Sequence, residues 1–408
     1  MNILHTSDWH LGHRLHEQSQ QYEQQKFLEW LLDTIKEKEI DVLLVAGDIF
    51  DTGYPSSQAL QMFYDFLAGV YKDTGCSQVV MTAGNHDAPG TINAPGHLVR
   101  SFSINLIGKA TDNIRDEILS FEINGERLIV AAVPFLRDRD IRRAIAGESA
   151  DNIESRYRQA LTNHYREIAG KIQKDRNTFA VAMGHLFAVG GQTSESENRI
   201  YVGGLGDIAA DDFPDVFDYV ALGHLHRPQK VGNRDNIRYS GSPYPLSFSE
   251  AGQEKSVLLI KTSDGQLSAI DSISVPLFRE LHSIKGALQQ CTERLKEIAT
   301  KQNTSRGEDG QFPFVEVNII EEGLTTSAYS QINDAIEGLP VKVLKVRLLK
   351  KNAQKGIEQL VEEDKQLEEL QPDEIFKKKC EEENFNLSEN KEVLDAFYEI
   401  LSSIEQGS

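Results

Sequence analysis

Five short polar clusters punctuate the first 226 residues, and each stands just beyond a run of β-branched and aliphatic side chains. Ile3-Leu4 leads to Asp8-Trp9-His10, Val42 to Val45 leads to Gly47-Asp48 with Asp51, and Val79 to Met81 leads to Gly84-Asn85-His86-Asp87. Phe179 to Met183 ends in Gly184-His185, and Tyr219 to Leu222 in Gly223-His224-Leu225-His226. Short apolar runs of this kind read as buried strands, so each cluster reads as the loop at a strand's end. Open sheets gather their ligands at the carboxyl ends of strands. The pattern therefore demands a fold in which five separated strands empty at a common edge.

The residue types point to metal chemistry. Asp8 and His10 are two apart, which on an extended segment puts both side chains on one face, and His224 and His226 repeat the spacing. Asp48 follows the most apolar strand and is placed to bridge two cations. Asn85 offers a neutral carbonyl oxygen, which holds a hard ion without repelling a phosphate. Two aspartates, one asparagine and four histidines, with no cysteine among them, favour Mn²⁺, Fe²⁺ or Zn²⁺ and argue against a structural zinc. Two divalent ions, with Mn²⁺ as first choice, are the expected cofactors. Singly, a Gly-His or Gly-Asp after a strand is ordinary packing or a helix cap; the fixed order of five gives the joint reading its force.

The intervening pattern predicts strands near 2–7, 41–47, 78–83 and 104–108, alternating with amphipathic helices near 18–38, 57–72 and 93–102. Asn124-Gly125 signals a hairpin within 117–133 and Asp264-Gly265 another within 255–275, with a helix near 153–175 and strands near 178–184, 218–223 and 237–241. That is enough for two stacked sheets, and the fold class expected over residues 1–275 is α/β, a four-layer αββα sandwich. Residues 276–350 read as a small α+β cap, with strands at 278–284, 313–321 and 341–349, helices at 287–301 and 325–338, and a polar loop from Thr304 to Gly310. A charged linker, 351–370, precedes a helix pair in 371–408, where Val393, Leu394, Phe397, Leu401 and Ile404 make an apolar stripe too small to bury itself. It should dock on a partner or on the chain's own catalytic domain.

The order Asp-x-His, Gly-Asp-x-x-Asp, Gly-Asn-His-Asp, Gly-His and Gly-His-x-His resembles the calcineurin-like metallophosphoesterase superfamily. Four strings narrow the resemblance to its bacterial branch of break-processing nucleases: Leu4 to Gly12, Ala46 to Gly53, Pro134-Phe135-Leu136-Arg137 and Tyr239 to Phe248. The resemblance implies one ion held by Asp8, His10 and His226, a second by Asn85, His185 and His224, and Asp48 between them. It leaves His86 free to protonate a leaving 3′ oxygen, while an ion-activated water attacks the phosphorus. It implies Asp51 as the residue that orients His86; a helix cap before Ser56 is the alternative. It further implies a 3′→5′ exonuclease on duplex ends and an endonuclease on single strands and hairpins, serving DNA repair, recombination and replication. The partners implied are DNA, a coiled-coil ATPase bound by the C-terminal helix pair, and a second copy of the chain meeting helices 57–72 and 93–102. Leu60, Phe63, Tyr64, Leu67, Val70, Leu98, Val99 and Phe102 would supply that dimer face, unless they are core.

Composition sets outer limits. A chain of 408 residues exceeds one ordinary core. It holds no run long enough to span a bilayer, and Met1 leads straight into a strand, so a cytoplasmic protein without membrane contact is expected. Cys76, Cys291 and Cys380 form no pattern, as in a reducing compartment. The net charge of −20 is awkward for a nuclease, but the stretch from Lys351 onward carries sixteen acidic against seven basic side chains. Bound cations and Arg14, Arg137, Arg139, Arg142, Arg143 and Arg227 could hold a phosphate backbone, or the 135–143 run is a solvated helix face. Much of the DNA affinity would come from the ATPase. No phosphate-binding Gly-x-x-x-x-Gly-Lys-Ser/Thr loop occurs, so ATP must act elsewhere. The competing functions are a stand-alone phosphatase or cyclic-nucleotide phosphodiesterase, and a non-catalytic scaffold.

Overall fold

The computed structural model describes residues 1–111, 113–137, 140, 150–188, 208–302, 312–321 and 327–350. The expected linker and C-terminal helix pair, the Thr304 to Gly310 loop, and Arg139, Arg142 and Arg143 lie outside these residues. Met1–Leu349 forms one compact unit.

Two six-stranded sheets make its centre. In the first, β1 (Asn2–Thr6), β4 (Val42–Ala46), β5 (Gln78–Thr82) and β6 (Ile104–Ile107) run parallel, and β13 (Ser256–Ser263) and β14 (Gln266–Ser274) add an antiparallel hairpin beside β1. In the second, β8 (Glu126–Ala132), β9 (Thr178–His185), β10 (Tyr219–Gly223) and β12 (Arg234–Tyr239) run parallel, flanked by antiparallel β7 (Ile118–Ile123) and β11 (Gln229–Val231). Helices α1 (Gln21–Glu37) and α2 (Ser57–Asp73) cover the first sheet, and α5 (Ala150–Ala169) covers the second.

Strand alternation builds the layers. Leu43 and Val45 of β4 pack with Phe27, Leu31, Phe63 and Phe66 of the helices, while Val42, Leu44 and Ala46 point the other way. There they meet Leu128, Val130, Phe179, Val181 and Tyr219 from the second sheet, whose alternate residues Ile129, Ala131, Ala180, Ala182 and Val220 pack on Tyr157, Leu161, Tyr165 and Ile168 of α5. Helix, sheet, sheet and helix are thus separated by three apolar interfaces, the expected αββα sandwich. A strand buried on both faces needs apolar residues throughout, which is why these runs are continuous rather than alternating.

Local differences from the sequence reading have physical causes. The helix expected at 93–102 is two short ones, α3 (Pro89–Asn93) and α4 (Gly96–Arg100), with Pro95 between them. Helix α5 stops before Gly170 rather than running to 175. A small hairpin, β2 (Arg14–Leu15) with β3 (Gln18–Ser19), had no apolar signal in the sequence. Both turn residues of Asn124-Gly125 and of Asp264-Gly265 have positive φ, 52° and 81° and then 52° and 71°, the two-residue turn those dipeptides favour. The residues considered for a dimer face divide: Phe63, Leu67, Val70 and Val99 are buried core, whereas Leu98 is 68% and Tyr71 56% exposed.

Residues 281–350 build a three-stranded sheet, β15 (Leu281–Gly286), β16 (Phe314–Glu321) and β17 (Lys342–Lys350), with α6 (Leu288–Gln302) and α7 (Ser327–Ile336) packed on it through Leu295, Val315, Val317, Ala328 and Ile332. It meets the sandwich at a small apolar contact of Leu15, Phe248, Leu281 and Phe314. The buried Arg279–Glu23 pair, with Arg279 stacked 4.2 Å over the Phe314 ring, closes the same junction.

Two glycines let the sheets close over the site. A Cβ on Gly223 would lie 1.9 Å from the Ala46 carbonyl oxygen of the opposite sheet, and one on Gly84 would lie 2.1 Å from Asp48 Oδ1. Gly223→Ala is therefore expected to cost about 3 kcal/mol, the upper part of the range for overpacking a rigid contact. Urea unfolding of the metal-free chain measures it, and a loss below about 0.5 kcal/mol would mean that the sheets are free to part.

Candidate metal centre

The loops after β1, β4, β5, β9 and β10 interlock through their backbones. Asp8 donates its N–H to the Gly47 carbonyl at 3.0 Å, His10 donates to Asp48 O at 3.0 Å, and His224 N–H reaches Asp8 Oδ1 at 2.9 Å. Asp8, His10 and Asp48 have φ of 54°, 44° and 49°, and His224 has φ of 103°. The extended-spacing argument for Asp8 and His10 therefore fails: their side chains meet because left-handed backbone turns them inward, a conformation stabilised only by its surroundings.

Three groups of ligand atoms each fall within 4.8 Å: Asp8, His10 and His226; Asp48, His185 and His224; and His10, Asp48 and His86. Asn85 joins the second, its Oδ1 lying 3.0 Å from both His185 Nε2 and His224 Nδ1. Asp48 connects the groups, with Oδ2 at 3.2 Å from His185 Nε2 and 3.6 Å from His10 Nε2. All seven residues expected as ligands are thus gathered at one place. His10 Nε2 is buried with no hydrogen-bond partner, since Nδ1 is turned to Asp51. A buried nitrogen lone pair facing a carboxylate lacks only a cation, so the donor set fits a pair of divalent ions.

Electrostatics agree. Burial pushes Asp8 up to about 6, against the pull of His185. Burial lowers His10, His226 and, most strongly, His224, so these rings are neutral donors. Burial opposes ionisation of both Asp48 and His185, but their mutual attraction wins, holding Asp48 well below the carboxylate range and raising His185 to about 9. A metal must displace the protons on Asp8 and His185. Mn²⁺ affinity should accordingly rise steeply from pH 6 to pH 9, with net proton release on binding; a calorimetric affinity flat across that window would contradict the assignment.

Asp51 sits differently from either expectation. Its Oδ1 lies 2.8 Å from His13 Nδ1 and 3.2 Å from His10 Nδ1, and helix α2 is capped instead by Ser56, which accepts from Ala59 N. His86 touches Asp51 only through the backbone, donating Nδ1–H to its carbonyl oxygen at 2.8 Å. The carboxylate of Asp51 is thus the outer partner of His10. Position in sequence showed that Asp51 belonged to the site but not which ring it would meet.

Sequence reasoning gave no role to three further residues. Asp87 is buried and accepts three backbone N–H bonds, from Ile49 at 3.1 Å, Phe50 at 2.9 Å and Gly84 at 2.9 Å, tying the β4 and β5 loops together. His13 bridges Asp51 to the Leu246 carbonyl, 3.1 Å from its Nε2. Glu250 lies fully buried with Oε1 3.7 Å from His226 Nδ1. Asp87 stood within a recognised string, whereas His13 and Glu250 carried no signal.

Fold and site together define a metal-dependent phosphoesterase. The family model described as Calcineurin-like phosphoesterase matches residues 1–228, and one described as Type 5 capsule protein repressor C-terminal domain matches 277–384. The chain is 33% identical over 408 residues to the SbcD subunit of the nuclease SbcCD of Escherichia coli K12, covering 99% of this chain and 98% of that protein. It is 30% identical to the protein of the same name from Bacillus subtilis, covering 100% and 99%, and 33% identical to that from Rhodobacter capsulatus, covering 84% and 86%. The chain belongs to the SbcD family of calcineurin-like phosphoesterases.

Proposed function

We propose that the chain is a Mn²⁺-dependent DNA nuclease, the catalytic member of a complex with an SbcC-type coiled-coil ATPase. The observation that carries the reading is the convergence of Asp8, His10, Asn85, His185, His224 and His226 around a shared Asp48, with His86 beside them. The full-length relatives, named for their place in the nuclease SbcCD, supply the substrate class and the ATPase partner.

When bound, the two ions supply an activated water and neutralise the phosphate's charge. Asp48, unprotonated and buried, is the ligand common to both groups. His86 spends Nδ1–H on the Asp51 carbonyl, which leaves Nε2 to give a proton to the departing 3′ oxygen. Arg137, fixed by its bond to the Asp87 carbonyl at 3.0 Å, adds positive charge behind that loop. Asp51 keeps His10 turned toward its ion, as an outer carboxylate does for a ligating imidazole.

The cap beside the sandwich presents DNA, and the 371–408 segment binds the ATPase. A second copy of the chain meets the exposed face of Tyr64, Tyr71, Leu98 and Phe102 on α2, α4 and the turn after it. No helix among the described residues is long and apolar enough to cross a membrane, and we place the enzyme in the cytoplasm.

Labelled duplex and hairpin DNA, incubated with the chain and its ATPase in Mn²⁺, should be degraded from 3′ ends and nicked at hairpins, and chelation with EDTA should abolish both. Faster hydrolysis of small phosphate esters than of DNA would instead support the stand-alone phosphatase.

A further inference from the structure

We infer that Glu250, neutralised by Lys255, positions His226 for its ion, and that the Tyr239 to Phe248 string exists to wrap this pair. The inference rests on the two-metal reading above. Both charges are buried, Glu250 at 0% and Lys255 at 5% exposure, so neither is tolerable without the other. Lys255 Nζ donates to Glu250 Oε2 at 2.5 Å, to Ser242 Oγ at 2.9 Å and to the His226 carbonyl at 3.0 Å. Oε2 also receives Ser242 Oγ at 3.2 Å and Leu246 N at 3.4 Å. Oε1 receives Ser247 Oγ at 3.1 Å and faces His226 Nδ1 at 3.7 Å.

The string supplies the cradle. Gly241, at φ 77°, brings the backbone so close that a Cβ there would stand 2.8 Å from the His226 carbonyl oxygen. Beyond it, the Tyr244 hydroxyl donates to the Trp9 carbonyl, and the Pro245 carbonyl accepts Gln20 Nε2 at 2.9 Å. These bonds hold the loop against the Asp8 to His10 segment while Ser242, Leu246 and Ser247 grip the carboxylate. With Nδ1 turned to Glu250, His226 is left with Nε2 for the group it shares with Asp8 and His10. An outer carboxylate fixes the ring and makes it a stronger donor. Lys255 cancels the added charge, so the site gains orientation without further repelling a phosphate. The other cluster is built differently: His185 Nδ1 is held by the Ala46 carbonyl at 2.9 Å.

The test is calorimetric titration of Mn²⁺ into the full chain, its E250Q/K255M variant, H226A, and the triple combination. E250Q/K255M preserves side-chain volume and removes both charges, so it should melt near the wild type. We expect one of two Mn²⁺ sites to weaken about 10–100-fold in E250Q/K255M. In the H226A background the same pair should cost less than about threefold more, which a merely structural role would not produce. S247A, at a half-buried position that does not put folding at stake, removes a donor to Oε1 and should weaken the same site about threefold.

Wild-type affinity in both E250Q/K255M and S247A, or a full additional loss in the H226A background, would overturn the inference while leaving the two-metal reading intact. A wild-type chain that binds no Mn²⁺ would overturn the reading itself.

Discussion

Asp48→Asn is expected to lower Mn²⁺-dependent turnover on DNA by on the order of 10⁴-fold, the largest effect of any single substitution in the site. Asparagine keeps the shape and one carbonyl oxygen but removes the charge common to both groups. Asp48 Oδ2 reaches toward His185 at 3.2 Å and His10 at 3.6 Å, while Oδ1 accepts the His86 N–H at 2.9 Å. The substitution thus weakens both ions and loosens the loop that carries His86. Turnover and Mn²⁺ stoichiometry measured together check it: a variant that binds two ions and retains a tenth of wild-type rate would show that Asp48 is no bridge.

His86→Ala should separate chemistry from metal binding. Turnover on DNA should fall about 10²–10⁴-fold, the span typical of general acid catalysis, with Mn²⁺ affinity unchanged. A proton donor matters less when the leaving group is already a good anion, so a nitrophenyl nucleotide ester should lose far less rate than DNA. Equal losses on both substrates would assign His86 to charge stabilisation rather than proton transfer, and a lost ion would make it a ligand. Its position among the atoms of His10 and Asp48 makes the distinction worth measuring.

The site was legible because each ligand follows a strand buried on both faces, and such strands announce themselves as continuous apolar runs. Val42 to Ala46 is apolar throughout because Leu43 faces helices and Leu44 faces the other sheet. What the sequence hid depends on backbone geometry or on distance along the chain. Nothing in Asp8-Trp9-His10 shows the left-handed φ values that bring its ends together. Asp51 was visible, but whether its carboxylate or its carbonyl meets His86 is decided by loop conformation. Glu250 and Lys255 look like ordinary charges beside a turn; only a fold that buries both reveals a paired support for His226, 24 residues upstream of Glu250. Pro95 divides a helix whose apolar pattern reads as continuous.

Anomalous diffraction from crystals of the full chain grown with Mn²⁺ is the most direct test of the central claim. Two peaks separated by about 3.5–4 Å are expected, one among Asp8, His10 and His226, the other among Asn85, His185 and His224, with Asp48 touching both. A single peak, or peaks away from these side chains, would contradict the two-metal account.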